Sequence, residues 1–443
     1  MSDRGLDRRS FLAAGAAGAA GLLGAPAVSS ASRRRGRARQ PNVVVALFDD
    51  LGIGDLGAYG SELIRTRRLD RLADTGVRFD AMYAAAATDS PSRAGLFTGR
   101  YGARFRVPES IRPDIPGGLP ADVPTVADAL RSAGYATGLF GQWRLGSEPG
   151  QHPLDKGFDR FSGTLYGTDV APLAWYEGRT QTEAATDIGR TTRRIHDAAE
   201  AFLDDLEGSG GTPFFAVLAY LVPHAPFEAE PRFAGRSDAG RYGDVVETVD
   251  RYLGALLSRL ERRRRGADTL VVVTSDNGPR YEGSTQRRRG RKPEVMDGGV
   301  LVPFIASWLG RRLERVDRVP RSLLDLAPTL CALAGAPVPA GMDGSDMSPL
   351  LRRGVRTPRG PVFLFYNEWL NAMRSDRWKL HVRYGNNTRT YMPQLFDVQA
   401  DPREAFNLAE YRPALVAALQ PQLEAVRASV NAEAAARAAG AAA

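Results

Sequence analysis

Cysteine is almost absent from this chain. Its 443 residues hold one, Cys331, which excludes any internal disulfide and leaves the fold to be held by its core alone. Lysine is nearly as scarce. Lys156, Lys292 and Lys379 are the only lysines among 59 basic residues, an arginine bias that genome composition alone can produce. No apolar run is long enough to span a membrane twice, and Phe11 to Gly24, the one stretch that could read as an N-terminal anchor, is short and glycine-rich, whereas a spanning helix needs about 20 strongly apolar residues. No internal repeat is visible.

A net charge of +8 invites a nucleic-acid reading until the charges are placed. Residues 1–40 hold eight arginines against Asp3 and Asp7, which is +6 and leaves about +2 for the other 403 residues. No nucleic-acid partner is expected on that balance. The same terminal segment reads as an export signal. Arg8-Arg9-Ser10-Phe11-Leu12 matches the twin-arginine pattern, a weakly hydrophobic Ala/Gly/Leu stretch follows, and Ala25-Pro26-Ala27 offers a cleavage site. The expected destination is periplasmic or extracellular, with no stable membrane span after processing. Twin-arginine export carries folded proteins, which suits a metal loaded before translocation.

The length suits one large α/β domain with a smaller appendage. Asn42–Phe48 (NVVVALF), Phe214–Leu221 and Thr269–Thr274 (TLVVVT) are continuous apolar runs, the pattern of strands buried on both faces. Helical patterns cover Leu69–Ala73, Thr125–Ala133, Ile188–Leu206 and Tyr242–Arg263. Strands alternating with helices predict an α/β fold, a mainly parallel sheet flanked by helices. Past residue 358 come short strand-like pieces (Val362–Tyr366, Trp378–Val382, Gln394–Val398) and a helix over Pro413–Ala428, read as a small antiparallel subdomain. The expected boundaries are 1–40 for signal and basic linker, 41–357 for the main domain, 358–430 for the subdomain and 431–443 for a disordered Ala-rich tail.

Two of the buried strands end in oxygen ligands: Asp49-Asp50 after the first, Asp276-Asn277 in the SDNG after TLVVVT. Ligands in open α/β sheets sit at the carboxyl ends of strands. Three carboxylates and an amide converging there repel one another unless a hard cation joins them, and all-oxygen ligands favour Ca²⁺ first and Mg²⁺ second.

Phe79 to Arg100 contains Asp89-Ser90-Pro91-Ser92-Arg93 followed by Thr98-Gly99. This closely resembles the signature of the sulfatase family, Cys-or-Ser-x-Pro-Ser-Arg-x-x-x-x-Thr-Gly. The likeness continues through PNVVVALFDDLGIGDLGAYG (41–60), HPLDKGFDRFSG (152–163), VPHAPF (222–227), SDNGP, RGRKPEVMDGGVLVP (289–303), LLDLAPTLCALAG (323–335) and LFDVQADPREAFNL (395–408). The resemblance implies an alkaline-phosphatase-like fold and hydrolysis of a sulfate ester on a small molecule or glycan, with phosphate esters as the related class. It makes Asp49, Asp50, Asp276 and Asn277 metal ligands. Arg93 becomes the cation that orients residue 89 and the sulfate, Lys292 a sulfate-binding cation, and His224 a partner of the sulfate or leaving group.

Three positions depart from the family pattern. Asp89 stands where the family has the Cys or Ser that is oxidised to formylglycine, so no formylglycine is expected. Gln142 and Arg144 in GQWRLG stand where Lys and His are usual. Asp89 is open to three roles: nucleophile, base for a water, or extra metal ligand. Two rival readings stay open as well, a catalytically inactive protein that binds sulfated ligands, and a phosphatase or phosphodiesterase that uses Ser90. The oligomeric state is not legible.

Overall fold

The computed structural model describes residues 40–107, 109–115, 117–208, 211–263, 266–382 and 393–441. The segment read as an export signal lies outside the described residues. The first half contains β1 (Asn42–Phe48), α1 (Arg67–Thr75), β2 (Val77–Phe79), β3 (Met82–Tyr83), α2 (Asp89–Thr98), α3 (Val126–Ser132), β4 (Ala136–Gln142) and β5 (Arg160–Thr164). The middle contains β6 (Trp175–Glu177), β7 (Thr180–Glu183), α4 (Thr191–Asp205), β8 (Phe214–Ala219), α5 (Gly240–Arg262), β9 (Thr269–Ser275) and α6 (Asp297–Val300). The last part contains β10 (Phe304–Trp308), β11 (Arg315–Asp317), β12 (Arg321–Ser322), α7 (Leu326–Ala334), α8 (Ser348–Arg353), β13 (Val362–Tyr366), β14 (Trp369–Ser375), β15 (Trp378–His381), β16 (Gln394–Asp397) and α9 (Pro413–Ala441).

Ten strands form one sheet in the order β11-β2-β10-β9-β1-β8-β4-β5-β6-β7. The central five, β9-β1-β8-β4-β5, are parallel. β10, β6 and β7 add antiparallel pairs toward the edges. The apolar run of β1 is explained by this central place. Val43, Val45 and Leu47 join the core on one face, and Val44, Ala46 and Phe48 join the other, the period-two alternation of a strand covered on both sides. Helices α1, α4 and α5 cover the second face, while α2, α3, α7, α8 and α9 cover the first.

β13 to β16 form the separate antiparallel sheet, paired in chain order. It belongs to the same compact unit as the large sheet, Gln40–Ala443. One expectation is corrected here. The chain from 431 is not an unstructured tail, because α9 runs on to Ala441. Val430 is buried, Glu433 Oε2 accepts from Arg100 Nη2 at 2.6 Å, and Arg437 Nη1 pairs with Asp122 Oδ2 at 2.9 Å. An alanine-rich segment has high helix propensity, and these contacts give the helix a surface to lie on. Among the described residues no helix is long and apolar enough to cross a membrane.

Candidate active site

Because β9, β1, β8 and β4 are adjacent and parallel, their carboxyl ends share one edge of the sheet. The residues that follow them meet there: Asp276 and Asn277 after β9, Asp49 and Asp50 after β1, His224 beyond β8, and Gln142 to Arg144 at the end of β4. Helix α2 points its first residue, Asp89, into the same place, where a helix N-terminus favours an anion. Arg93 follows on the same helix face one turn later. Asp50 (φ 72°) and Arg144 (φ 60°) both hold left-handed backbone conformations without being glycine. Such strain concentrates at functional sites.

Asp49, Asp50, Asp89 and Asp276 are all buried, and each offers an oxygen within 4.8 Å of the others. Four carboxylates do not crowd together in a protein interior without compensation. Asp49 Oδ1, Asp50 Oδ2 and Asn277 Oδ1 are buried with no hydrogen-bond partner. Two orphaned oxygens amid clustered acids, and a third that only the exposed Arg280 approaches, fit a hard divalent cation held by oxygen ligands. Asp49, Asp50, Asp276 and Asn277 would hold it, with Asp89 at hand as a further ligand.

The remaining compensation comes mainly from three buried cations, with the exposed Arg280 Nε 3.5 Å from Asp50 Oδ2. Arg93 Nε donates to Asp276 Oδ2 at 2.8 Å and its Nη1 to the Gln142 carbonyl at 2.7 Å. Lys292 Nζ donates to Asp50 Oδ1 at 2.7 Å and to Asp89 Oδ1. Arg144 Nη1 pairs with Asp89 Oδ2 at 3.0 Å, while its Nη2 pairs with Asp169 Oδ1 at 2.6 Å. Lys292 sits in an arginine-rich loop that reads equally well as a solvated charge run, yet its side chain is only 5% exposed. With Asp169 and Arg280 counted, five carboxylates face four cations, about −1 when all are ionised, which a dication would turn to about +1. Such a site attracts a sulfate monoanion.

Burial alone raises the pKa of Asp89, but Lys292 and Arg144 outweigh it and hold the carboxyl well below the usual carboxylate range. Asp276 goes the other way: burial and then Asp49 push it up to about 7, against Arg93. His224 Nδ1 lies 2.8 Å from the Ala225 carbonyl and 2.8 Å from Thr168 Oγ1. A carbonyl can only accept, so Nδ1 carries a proton, and Nε2 is the nitrogen that faces away from these partners. One side of His224 thus supports its own loop, and the other is free for chemistry.

A model of the sulfatase family matches residues 41–336, and a model of the C-terminal part of N-sulphoglucosamine sulphohydrolase matches residues 294–429. Human arylsulfatase A is 34% identical, covering 89% of this chain and 89% of its own length. The chain belongs to the sulfatase family. Sulfatases are sulfuric ester hydrolases within the alkaline phosphatase superfamily. Among solved structures, one from work on glycosaminoglycan metabolism by Bacteroides thetaiotaomicron superposes with a TM-score of 0.80 at 25% identity, over 88% of this chain and 100% of that one. Another, i-CgsB in complex with k-i-k-neocarrahexaose, gives 0.75 at 28% identity, over 88% and 93%.

In this sulfatase two of the three departures pair with each other, and the third donates into the aspartate cluster. Gln142 Nε2 donates to Asp49 Oδ2 at 2.8 Å, a neutral donor in place of a cation. Asp89 adds a negative charge and Arg144 returns a positive one beside it. Ser90 takes no part in the acidic cluster; its Oγ accepts from the Ile111 N–H at 3.2 Å. Sequence reasoning missed Asp169, Ser110 and Thr168. The first two hold Arg144, with Ser110 Oγ at 2.9 Å from Nη1, and Thr168 holds His224. Only Gly167 offered a signal. A Cβ there would lie 1.7 Å from Arg144 Nη2, so the residue beside Thr168 has no side chain because the guanidinium fills that space.

Proposed function

We propose that this protein is an exported, metal-dependent hydrolase of a sulfate ester carried by a glycan or other small molecule, with Asp89 in the nucleophile slot. The observation that carries the reading is the buried quartet of aspartates ringed by Arg93, Arg144, Lys292 and His224. The net reaction is R–O–SO₃⁻ + H₂O → R–OH + HSO₄⁻. Sulfuryl transfer builds negative charge on the equatorial and leaving oxygens, which fixed cations at a preorganised site stabilise. A cation bound by the aspartates supplies Lewis-acid charge to the same end. Arg93 and Lys292 bind sulfate oxygens, and His224, when Nε2 is protonated as well, hands that proton to the leaving oxygen. Ca²⁺ is the favoured cation and Mg²⁺ the second, on the all-oxygen donor set.

Asp89 has both carboxyl oxygens in ion pairs, and its lowered basicity makes it a poor general base and a weak nucleophile. Slow turnover of simple aryl sulfates follows. The same observation favours a second reading, a protein that binds sulfated ligands without cleaving them. Turnover of sulfate and phosphate aryl esters, with and without Ca²⁺ and beside Asp89→Ala, separates the readings. Slow, Ca²⁺-dependent sulfate release lost in Asp89→Ala supports the hydrolase. Tight binding with no release supports the binder, and preferred phosphate release points to the Ser90 chemistry.

Export rests on Arg8-Arg9 ahead of the Gly/Ala-rich stretch. Changing both to Lys leaves precursor in the cytoplasm, and the mature protein begins near Val28. Undiminished export of the altered protein removes the twin-arginine route.

A further inference from the structure

Two surface clefts of this molecule carry opposite charge. The larger, about 970 Å³ beside α4, is lined by six carboxylates and four arginines. The second, about 760 Å³, lies along α1 and α5 and reverses the balance. Its lining includes Arg65, Arg67, Arg68, Arg71, Arg236 and Arg251 against three carboxylates. An arginine-rich composition alone would tilt both clefts the same way.

Two of those three carboxylates have other work. Glu247 Oε1 accepts from the Arg65 N–H at 3.2 Å, and Asp250 Oδ1 accepts from the N–H groups of Arg68 and Leu69 at 2.9 Å each, which fixes the start of α1. Arg65 and Arg68 remain beside these acids, at 3.4 and 3.5 Å. Arg67, Arg71, Arg236 and Arg251 are exposed, and among the described residues none has a carboxylate within 4 Å. Arg251 is oriented by the Phe233 ring, 5.7 Å from its centroid.

The floor of the cleft is built to hold this charge. Gly254 lies mid-way along α5, where glycine costs about 1 kcal/mol relative to alanine. A Cβ there would lie 1.7 Å from Arg68 Cδ. The missing side chain lets the Arg68 stem cross the helix closely. From Glu247 to Glu261 the helix rises about 21 Å at roughly 1.5 Å per residue, so the cleft lining runs about that far along α5. α5 begins at the active-site edge, where Tyr242 Oη donates to Asp55 Oδ2 at 2.5 Å, and ends just before β9 starts.

We propose that this cleft is a second anion-binding site, and that it takes the sulfate groups of a linear sulfated glycan along α5. Guanidinium groups grip sulfate through two parallel N–H donors, and unpaired ones pay no penalty for leaving a carboxylate. The identity of the occupant rests on the sulfate-ester reading above; the site itself does not.

The test is binding of labelled dextran sulfate, unsulfated dextran of equal length and a single-stranded DNA of matched charge, to the full chain and to Arg67→Ser/Arg71→Ser/Arg251→Ser. All three positions are exposed, and an unchanged melting temperature confirms the fold. The expected result is at least tenfold weaker dextran sulfate binding in the variant, a shallower salt dependence, and no binding of plain dextran. A small aryl sulfate, which reaches only the aspartate site, binds both proteins equally. Equal dextran sulfate binding by the two proteins overturns the site. DNA binding as tight as dextran sulfate binding overturns the glycan assignment. Absence of aryl sulfate turnover in both proteins counts against the hydrolase reading and leaves this comparison intact.

Discussion

At the scale of single residues, the departures at 89 and 144 form one unit. Each alone is a liability: Asp89 without Arg144 is a buried anion facing incoming sulfate, and Arg144 without Asp89 is a buried cation with Asp169 as its remaining carboxylate. Removing one partner of a buried pair costs about 3–5 kcal/mol, more than the pair contributes when intact. Asp89→Asn and Arg144→Gln should therefore each lower the melting temperature strongly, while the double variant loses less than the sum. A coupling energy of about 1–3 kcal/mol is expected from the double-mutant cycle, read by denaturant unfolding. Additive losses would mean that Lys292 alone neutralises Asp89. The identities of these residues were plain in the sequence, but their pairing was not. Position 144 lies 55 residues from position 89 in the chain, and only the convergence of β4 with the start of α2 brings them together.

At the scale of elements, the parallel core was legible because β1, β8 and β9 are uninterrupted apolar runs whose two faces both meet helices. The small sheet was legible only in part. β14 (WLNAMRS) mixes polar and apolar residues and carries no strand pattern of its own. Its neighbour β15 supplies something that no motif announced. Lys379 Nζ donates to Asp297 Oδ1 at 2.8 Å and Glu404 Oε1 at 3.1 Å, His381 Nε2 donates to Glu404 Oε2 at 2.7 Å, and all four residues are buried. Burial opposes ionisation of Glu404, yet Lys379 and His381 hold it down to about 2. Asp297 opens α6, five residues beyond Lys292, so this network ties the Lys292 loop to the small sheet. Lys379→Met should loosen that loop, raising KM for a sulfate ester more than it lowers kcat, with partial recovery in Lys379→Arg. A variant that loses stability but keeps the KM of the unaltered protein would confine the network to a structural role.

At the scale of the whole molecule, a chain without disulfides has its core to hold it together, and a cation at the aspartate cluster would add to that. The aspartates that meet in the buried cluster follow β1 and β9 or open α2, positions spread over more than 220 residues of chain. A cation that binds them only when folded therefore stabilises the entire unit. At a free concentration of 100 times Kd the gain is about 2.7 kcal/mol. Purified without chelators, the protein should carry close to one divalent ion per chain, and a chelator should lower the melting temperature, with Ca²⁺ restoring it more fully than Mg²⁺. Asp276→Ala should abolish stoichiometric metal and make melting insensitive to chelator. Its own apparent stability in chelator can even exceed that of the metal-free parent, because one of four crowded carboxylates has gone. Stoichiometric metal retained by Asp276→Ala would remove this cluster as the metal site, whatever the family resemblance implies.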